Sequence, residues 1–73
     1  MPIYYATFPP KYSDNSHPTL PAAHPDGYLT INATSETEAS AKVQSRIADD
    51  YSMIYTAPDF DKSLYPLGSI ATI

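Results

Sequence analysis

The sequence predicts an α+β fold: a small four-stranded mixed sheet with one helix packed on one face and a long Pro-rich loop after the first strand. Three observations carry that expectation. Residues 25–38 spell a turn, a strand and a helix start in succession: Pro-Asp-Gly, then Tyr-Leu-Thr-Ile-Asn-Ala, then Ser35-x-x-Glu38. Two further β-branched and aromatic runs, at 3–8 and 51–56, stop at Pro9-Pro10 and Ala57-Pro58. The one stretch with helical periodicity lies between the second and third runs.

Ile3-Tyr4-Tyr5-Ala6-Thr7-Phe8 reads as the first strand, with Tyr4, Ala6 and Phe8 on one face and Ile3, Tyr5 and Thr7 on the other. Residues 9–26 carry Pro9, Pro10, Pro18, Pro21 and Pro25, so neither a helix nor a central strand is expected there. A connection of that length in a compact domain is commonly functional or disordered. The plainer reading is a stiff loop wrapping a sheet edge, anchored by Tyr12 and Leu20. Pro25-Asp26-Gly27 then presets a tight turn, with Gly27 free to take positive φ.

The second strand spans 28–33, with Leu29, Ile31 and Ala33 on one face and Tyr28, Thr30 and Asn32 on the other. Ser35 and Glu38 form a capping box, in which the serine oxygen accepts from the Glu38 N–H and the glutamate reaches back to the Ser35 N–H. The spacing predicts a helix over 36–48, with an apolar stripe of Ala39, Val43 and Ile47 and a solvated face of Glu38, Lys42 and Arg46. Glu38 and Lys42 stand in the favourable i,i+4 order. Asp49-Asp50 ends the helix. Residues 51–56 form the third strand, residues 57–68 a loop in which Phe60, Leu64 and Tyr65 serve as apolar anchors, and 69–73 a last strand opened by Gly68. Strand, helix, strand in sequence implies a crossover between neighbouring or near-neighbouring parallel strands.

A sheet with a single helix leaves its second face open, and alternation sends tyrosines there: Tyr5, Tyr28 and one of Tyr51 or Tyr55. Either a loop covers that face or a partner does. The 7 Tyr, 2 Phe and no Trp of this chain suit a half-wet interface, since Tyr joins an apolar ring to a polar tip.

Bulk composition narrows the function classes. Seventy-three residues make one domain with a thin stability margin. Zero cysteines exclude disulfides and thiolate metal sites, and Met1-Pro2-Ile3 lacks the basic start of an export signal, so a cytoplasmic protein is expected. Asn32-Ala33-Thr34 then matches a glycosylation acceptor by coincidence. No apolar run approaches the roughly 20 residues of a membrane span. A net charge of −4, with Lys11, Lys42, Arg46 and Lys62 scattered, argues against nucleic-acid binding. The acidic residues are scattered too, which disfavours a DNA mimic.

Chemistry-bearing clusters are sparse. His17-Pro18 and His24-Pro25, with Asp14 and Asp26 nearby, lack the spacing of a known metal motif and read as stiff turns with exposed rings. Asp59-Phe60-Asp61 puts two carboxylates on one side of an extended segment, but the further ligands, central glycine and terminal glutamate of a calcium loop are missing. With 2 Gly there is no phosphate cradle, and no nucleophile elbow surrounds any Ser. No catalytic residue, metal or cofactor is assigned.

Tyr-Ala-Thr-Phe at 5–8, His-Pro-x-x-x-x-x-His-Pro-Asp-Gly-Tyr at 17–28, the Ala-rich helix over 39–47, Ile54-Tyr55 and Tyr-Pro-Leu-Gly at 65–68 span most of the chain. In these features it resembles small proteins encoded by bacteriophages of actinobacteria. The resemblance implies a context, a small viral accessory protein in the cytoplasm of a host bacterium, and carries over no activity or catalytic residue. The expected function is non-enzymatic binding of another protein, such as a host factor, through an open sheet face and the Pro-rich loop. The candidate contact residues are Tyr5, Tyr28, Tyr12, His17, His24, Tyr51 and Tyr55. One alternative is a homodimer that buries the same face against its copy. Another is a small-ligand binder using the His-Pro loop.

Overall fold

The computed structural model describes residues 2–48 and 50–73. Its elements are β1 (Ile3–Thr7), β2 (Gly27–Asn32), α1 (Glu36–Ile47), β3 (Ile54–Thr56) and β4 (Gly68–Thr72), with 3-10 turns at Pro10–Tyr12, Ala57–Asp59 and Lys62–Leu64. The four strands form one mixed sheet in the order β3-β1-β2-β4. β1 pairs antiparallel with both β2 and β3, while β2 pairs parallel with β4. β2 and β3 therefore run parallel with β1 between them, and α1 makes the crossover over a near neighbour.

Register fixes the two faces. Tyr4 opposes Ile31 and Ala6 opposes Leu29, so these side chains share the face on which α1 lies. Against them α1 buries Ala39, Val43 and Ile47, one residue per turn. Phe8 and Ala33, just beyond the ends of β1 and β2, complete the sheet's contribution to this core. The alanines at 6, 33 and 39 let the helix sit low on the sheet, so Leu29, Ile31 and Val43 are the largest side chains buried completely.

The helix starts where the capping box puts it, with one difference. Ser35 Oγ accepts from the Glu38 N–H at 3.1 Å. The Glu38 carboxylate, however, passes over Ser35 and accepts from the Thr34 N–H at 3.0 Å and the Thr34 hydroxyl at 3.3 Å. With Glu38 so engaged, Lys42 leaves the expected solvated face and its half-buried ammonium donates to the Asn32 carbonyl. At the other end Ala48 takes φ 53°, outside the helix, while its N–H still donates to Gln44. Asp49, expected to help end the helix, lies outside the described residues.

Other boundaries move for identifiable reasons. The third strand begins at Ile54 rather than 51, because the backbone of Thr7 bonds to two successive residues. It donates to the Met53 carbonyl at 2.9 Å and accepts from the Ser52 N–H at 2.7 Å, which offsets the ladder. Gly27 opens β2 and is not the positive-φ residue of the turn before it. Instead a Cβ there would lie 2.7 Å from Ile70 Cδ1, so the glycine makes room for close packing of β4. Positive φ falls on Gly68 (71°), where the chain turns into β4. Between Tyr28 and Leu29 the register on β4 jumps from Ser69 to Ala71, a bulge that turns Ile70, Ala71 and Ile73 toward the helix-side core.

Three stability outcomes follow from this packing. Ser35→Ala removes the cap and lowers the denaturant midpoint, at a cost of about 0.5–2 kcal/mol. Ile47→Ala, at a side chain only 3% exposed, costs about 2–5 kcal/mol and is read from the same unfolding curves. Ala48→Gly relieves the positive-φ backbone and adds about 1 kcal/mol of stability, read as a higher midpoint; an unchanged midpoint would show that no strain resides there.

Candidate functional site

The second sheet face carries the tyrosines that alternation places there, and it is not open. Tyr5 and Tyr28 are 6% and 8% exposed, which corrects the expectation that they face solvent. Their cover is the segment after β3, not the Pro-rich loop. Phe60, in an extended residue between two 3-10 turns, lies with its ring 4.6 Å from that of Tyr5 at 21° and 4.8 Å from that of Tyr65 at 17°. Tyr28 stands nearly perpendicular to all three rings, 5.2 Å from Tyr5, 5.0 Å from Phe60 and 6.1 Å from Tyr65. Tyr55, opposite Tyr5 in the β1–β3 register, closes the fourth side of Phe60 at 5.6 Å. Stacked and edge-to-face rings in this range each contribute about 0.5–1.5 kcal/mol beyond burial.

The turns on either side hold Phe60 in place. Thr56 Oγ1 donates to Asp59 Oδ2 at 2.9 Å, and Asp61 Oδ1 accepts from the Ser63 N–H at 3.0 Å and from the Ser63 hydroxyl. Asp59 and Asp61, which share one side of an extended segment in the sequence reading, are thus spent on separate turns. Hydrogen bonds from the Ser63 hydroxyl, and then from its backbone N–H, hold Asp61 below its ordinary 3.8. Lys62 carries its ammonium 5.0 Å from the centroid of the Tyr5 ring, and interaction with the Tyr5 hydroxyl raises it above its usual 10.5. Burial, then the charges of Tyr55 and Asp61, raises the Tyr65 hydroxyl above 10.0. At its far end the segment is fastened by the Leu67 N–H, which donates to the Asp26 carbonyl at 3.0 Å.

The Pro-rich loop packs on the opposite, helix-bearing side. It contains a 3-10 turn at Pro10–Tyr12, since proline is tolerated at the first position of such a turn. Its anchors are Tyr12 and His17, both buried, with Leu20 half-buried beside them. The His17 ring was expected to be exposed. Instead its Nδ1 accepts from the N–H groups of Thr19 (3.2 Å) and Leu20 (3.0 Å), which leaves Nε2 as the protonated nitrogen donating to the Asp50 carbonyl at 2.9 Å. Tyr12 donates to the Asp50 carboxylate at 3.1 Å, so one residue beyond the helix ties down the loop twice. His17 and Tyr12 are a fastening between loop and helix end.

The seven candidate contact residues therefore fall into three places. Tyr5, Tyr28 and Tyr55 meet around Phe60; Tyr12 and His17 meet at Asp50, with Tyr51 half-buried against the same helix-side core. His24 stands apart at the turn before β2, where its Nδ1 accepts from the Asp26 N–H at 3.0 Å. Sequence reasoning missed three side chains that do reach solvent: Met53 (53%), Leu64 (67%) and Leu67 (58%), the large exposed hydrophobics of the described residues. Leu64 was expected to be an anchor, but its 3-10 turn points it outward while Phe60 and Tyr65 point in. The signal was available: in Phe60-x-x-x-Leu64-Tyr65-x-Leu67 there are more apolar residues than one loop can bury.

Among the described residues no cavity opens, and no three His, Cys, Asp or Glu side chains converge as a metal ion requires. No helix among them is long and apolar enough to cross a membrane. No family model, curated protein or solved structure matches the chain.

The cover makes two expectations checkable. Phe60→Ala leaves four tyrosines around a void, costs about 3 kcal/mol, and exposes an apolar surface that takes up a hydrophobic dye; unchanged stability and no dye uptake would mean the stack contributes nothing. In an NMR titration Asp61 ionises below 3.8 and moves back toward it in Ser63→Ala. Because the folded value is depressed, the Asp61–Ser63 contact stabilises the cover above the unfolded value and is lost as pH falls through the folded one.

Proposed function

We propose that this chain is a non-enzymatic binding module that docks another protein on the outer surface of the aromatic cover. One observation carries the reading: among the described residues, the large exposed hydrophobics belong to the cover or touch it. Leu64 and Leu67 belong to the cover itself, and Met53 joins it through the Tyr55 hydroxyl, which donates to Met53 Sδ at 3.6 Å. An apolar surface set on rigid aromatic rings and rimmed by Asp59, Asp61 and Lys62 has the anatomy of a protein interface, with an apolar centre and a charged edge. The tyrosines act from below. They hold the cover in one shape, so less conformational freedom is lost when a partner docks. The resemblance to phage accessory proteins makes a bacterial host protein the natural candidate for that partner.

Leu64→Ser with Leu67→Ser tests this reading, because both side chains are exposed and their removal leaves folding intact. Captured from an actinobacterial lysate, a specific partner binds the parent and loses more than about 20-fold in affinity for the double variant. Equal capture by the two proteins overturns the proposal.

A further inference from the structure

The sheet has two edges of different character, and only one is guarded. On the β3 side the strand is three residues long and runs directly into a 3-10 turn containing Pro58, the kind of short, proline-bounded edge that resists strand addition. On the β4 side the edge strand is Gly68-Ser69-Ile70-Ala71-Thr72, with no charge and no proline. Its bulge is confined to Ser69–Ala71, and beyond it pairing with β2 is regular. The Ile73 N–H donates to Thr30 at 2.8 Å and the Ile73 carbonyl accepts from Asn32 at 2.9 Å, so both of its backbone groups are spent on β2. Alternation then turns the N–H and C=O of Thr72 to the open side. The side chains are sorted as well: Ile70, Ala71 and Ile73 lie half-buried on the helix side, while Ser69 bonds Thr30 at 2.7 Å on the tyrosine side.

We infer that a second copy of this chain pairs with this edge, β4 against β4 in antiparallel register across a two-fold axis perpendicular to the sheet. The operation is self-matching. It sets an uncharged edge against an uncharged edge in a chain whose net charge is −4. It brings Ile70 and Ile73 against the same residues of the copy on the helix side, and hydroxyl-bearing Ser69 and Thr72 together on the other. Both helices then lie on one side of a continuous eight-stranded sheet, and both aromatic covers on the other. The inference does not depend on the docking surface proposed above, since Leu64 and Leu67 lie outside the pairing edge.

Sedimentation at micromolar and higher concentrations, with hydrogen exchange followed residue by residue, tests it on the full chain. The expected result is a reversible dimer in which the Thr72 amide becomes protected as concentration rises while the Ile73 amide, already bonded to Thr30, does not change. Thr72→Lys places a charge on the edge and weakens the dimer by more than about 10-fold, whereas Thr72→Ser preserves it and both variants keep the parent's circular dichroism. A monomer at every concentration, a monomer that protects Thr72 only when a foreign strand is added, or a dimer indifferent to Thr72→Lys each overturns the inference.

Discussion

Everything in this molecule answers to one constraint: β1 and β2 are the inner strands of a sheet whose two faces are both apolar, and the chain has a single helix to cover them. Ala6 and Phe8 point one way and Tyr5 the other, and all three are buried. The helix satisfies the first face. For the second the protein uses an irregular segment, and an irregular segment has too few backbone hydrogen bonds of its own to stay down without an anchor. Phe60 is that anchor. Wedged among four tyrosines, it turns a loop into a second layer, and the Thr56–Asp59 and Asp61–Ser63 contacts set the turns that aim it.

The same constraint explains the placement of the Pro-rich loop. Because the helix buries only the narrow stripe of Ala39, Val43 and Ile47, it leaves the end of the sheet near Phe8 uncovered. Tyr12, His17 and Ala23 fill that end, and the fastening of Tyr12 and His17 to Asp50 joins loop and helix terminus into one wall. Prolines suit this role, since they lower the entropy of the unfolded loop and so the cost of ordering it. The loop is thus part of the core of a chain too short to build one from regular elements alone.

With both faces covered, what remains for recognition is the outside of the covers and the edges of the sheet. The helix presents charge and small polar groups; the aromatic cover presents Leu64, Leu67 and Met53. That asymmetry is the physical ground on which the proposed docking surface rests. The tyrosines lie beneath that surface: packed against one another and Phe60, they hold its shape.

The element types and most of their faces were legible in the local sequence. The capping box, the Ala39, Val43, Ile47 stripe and the alternation at 3–8 and 28–33 are local signals, each decided by the geometry of one helix or one strand, and they sufficed for a mixed sheet with one helix. Strand order, the bulge at Ile70, and the side taken by each loop were decided only by tertiary structure. Two loops, each with apolar residues, could have covered the tyrosine face, and no local rule distinguishes them. The choice rests on the chain's path out of β1 and β3 and on which anchors fit: a flat Phe60 among flat tyrosines on one side, a His17 whose two nitrogens find an N–H pair and a carbonyl on the other. Leu64 and Leu67 are exposed for the same reason, because once Phe60 and Tyr65 occupy the space above the sheet there is none left for them.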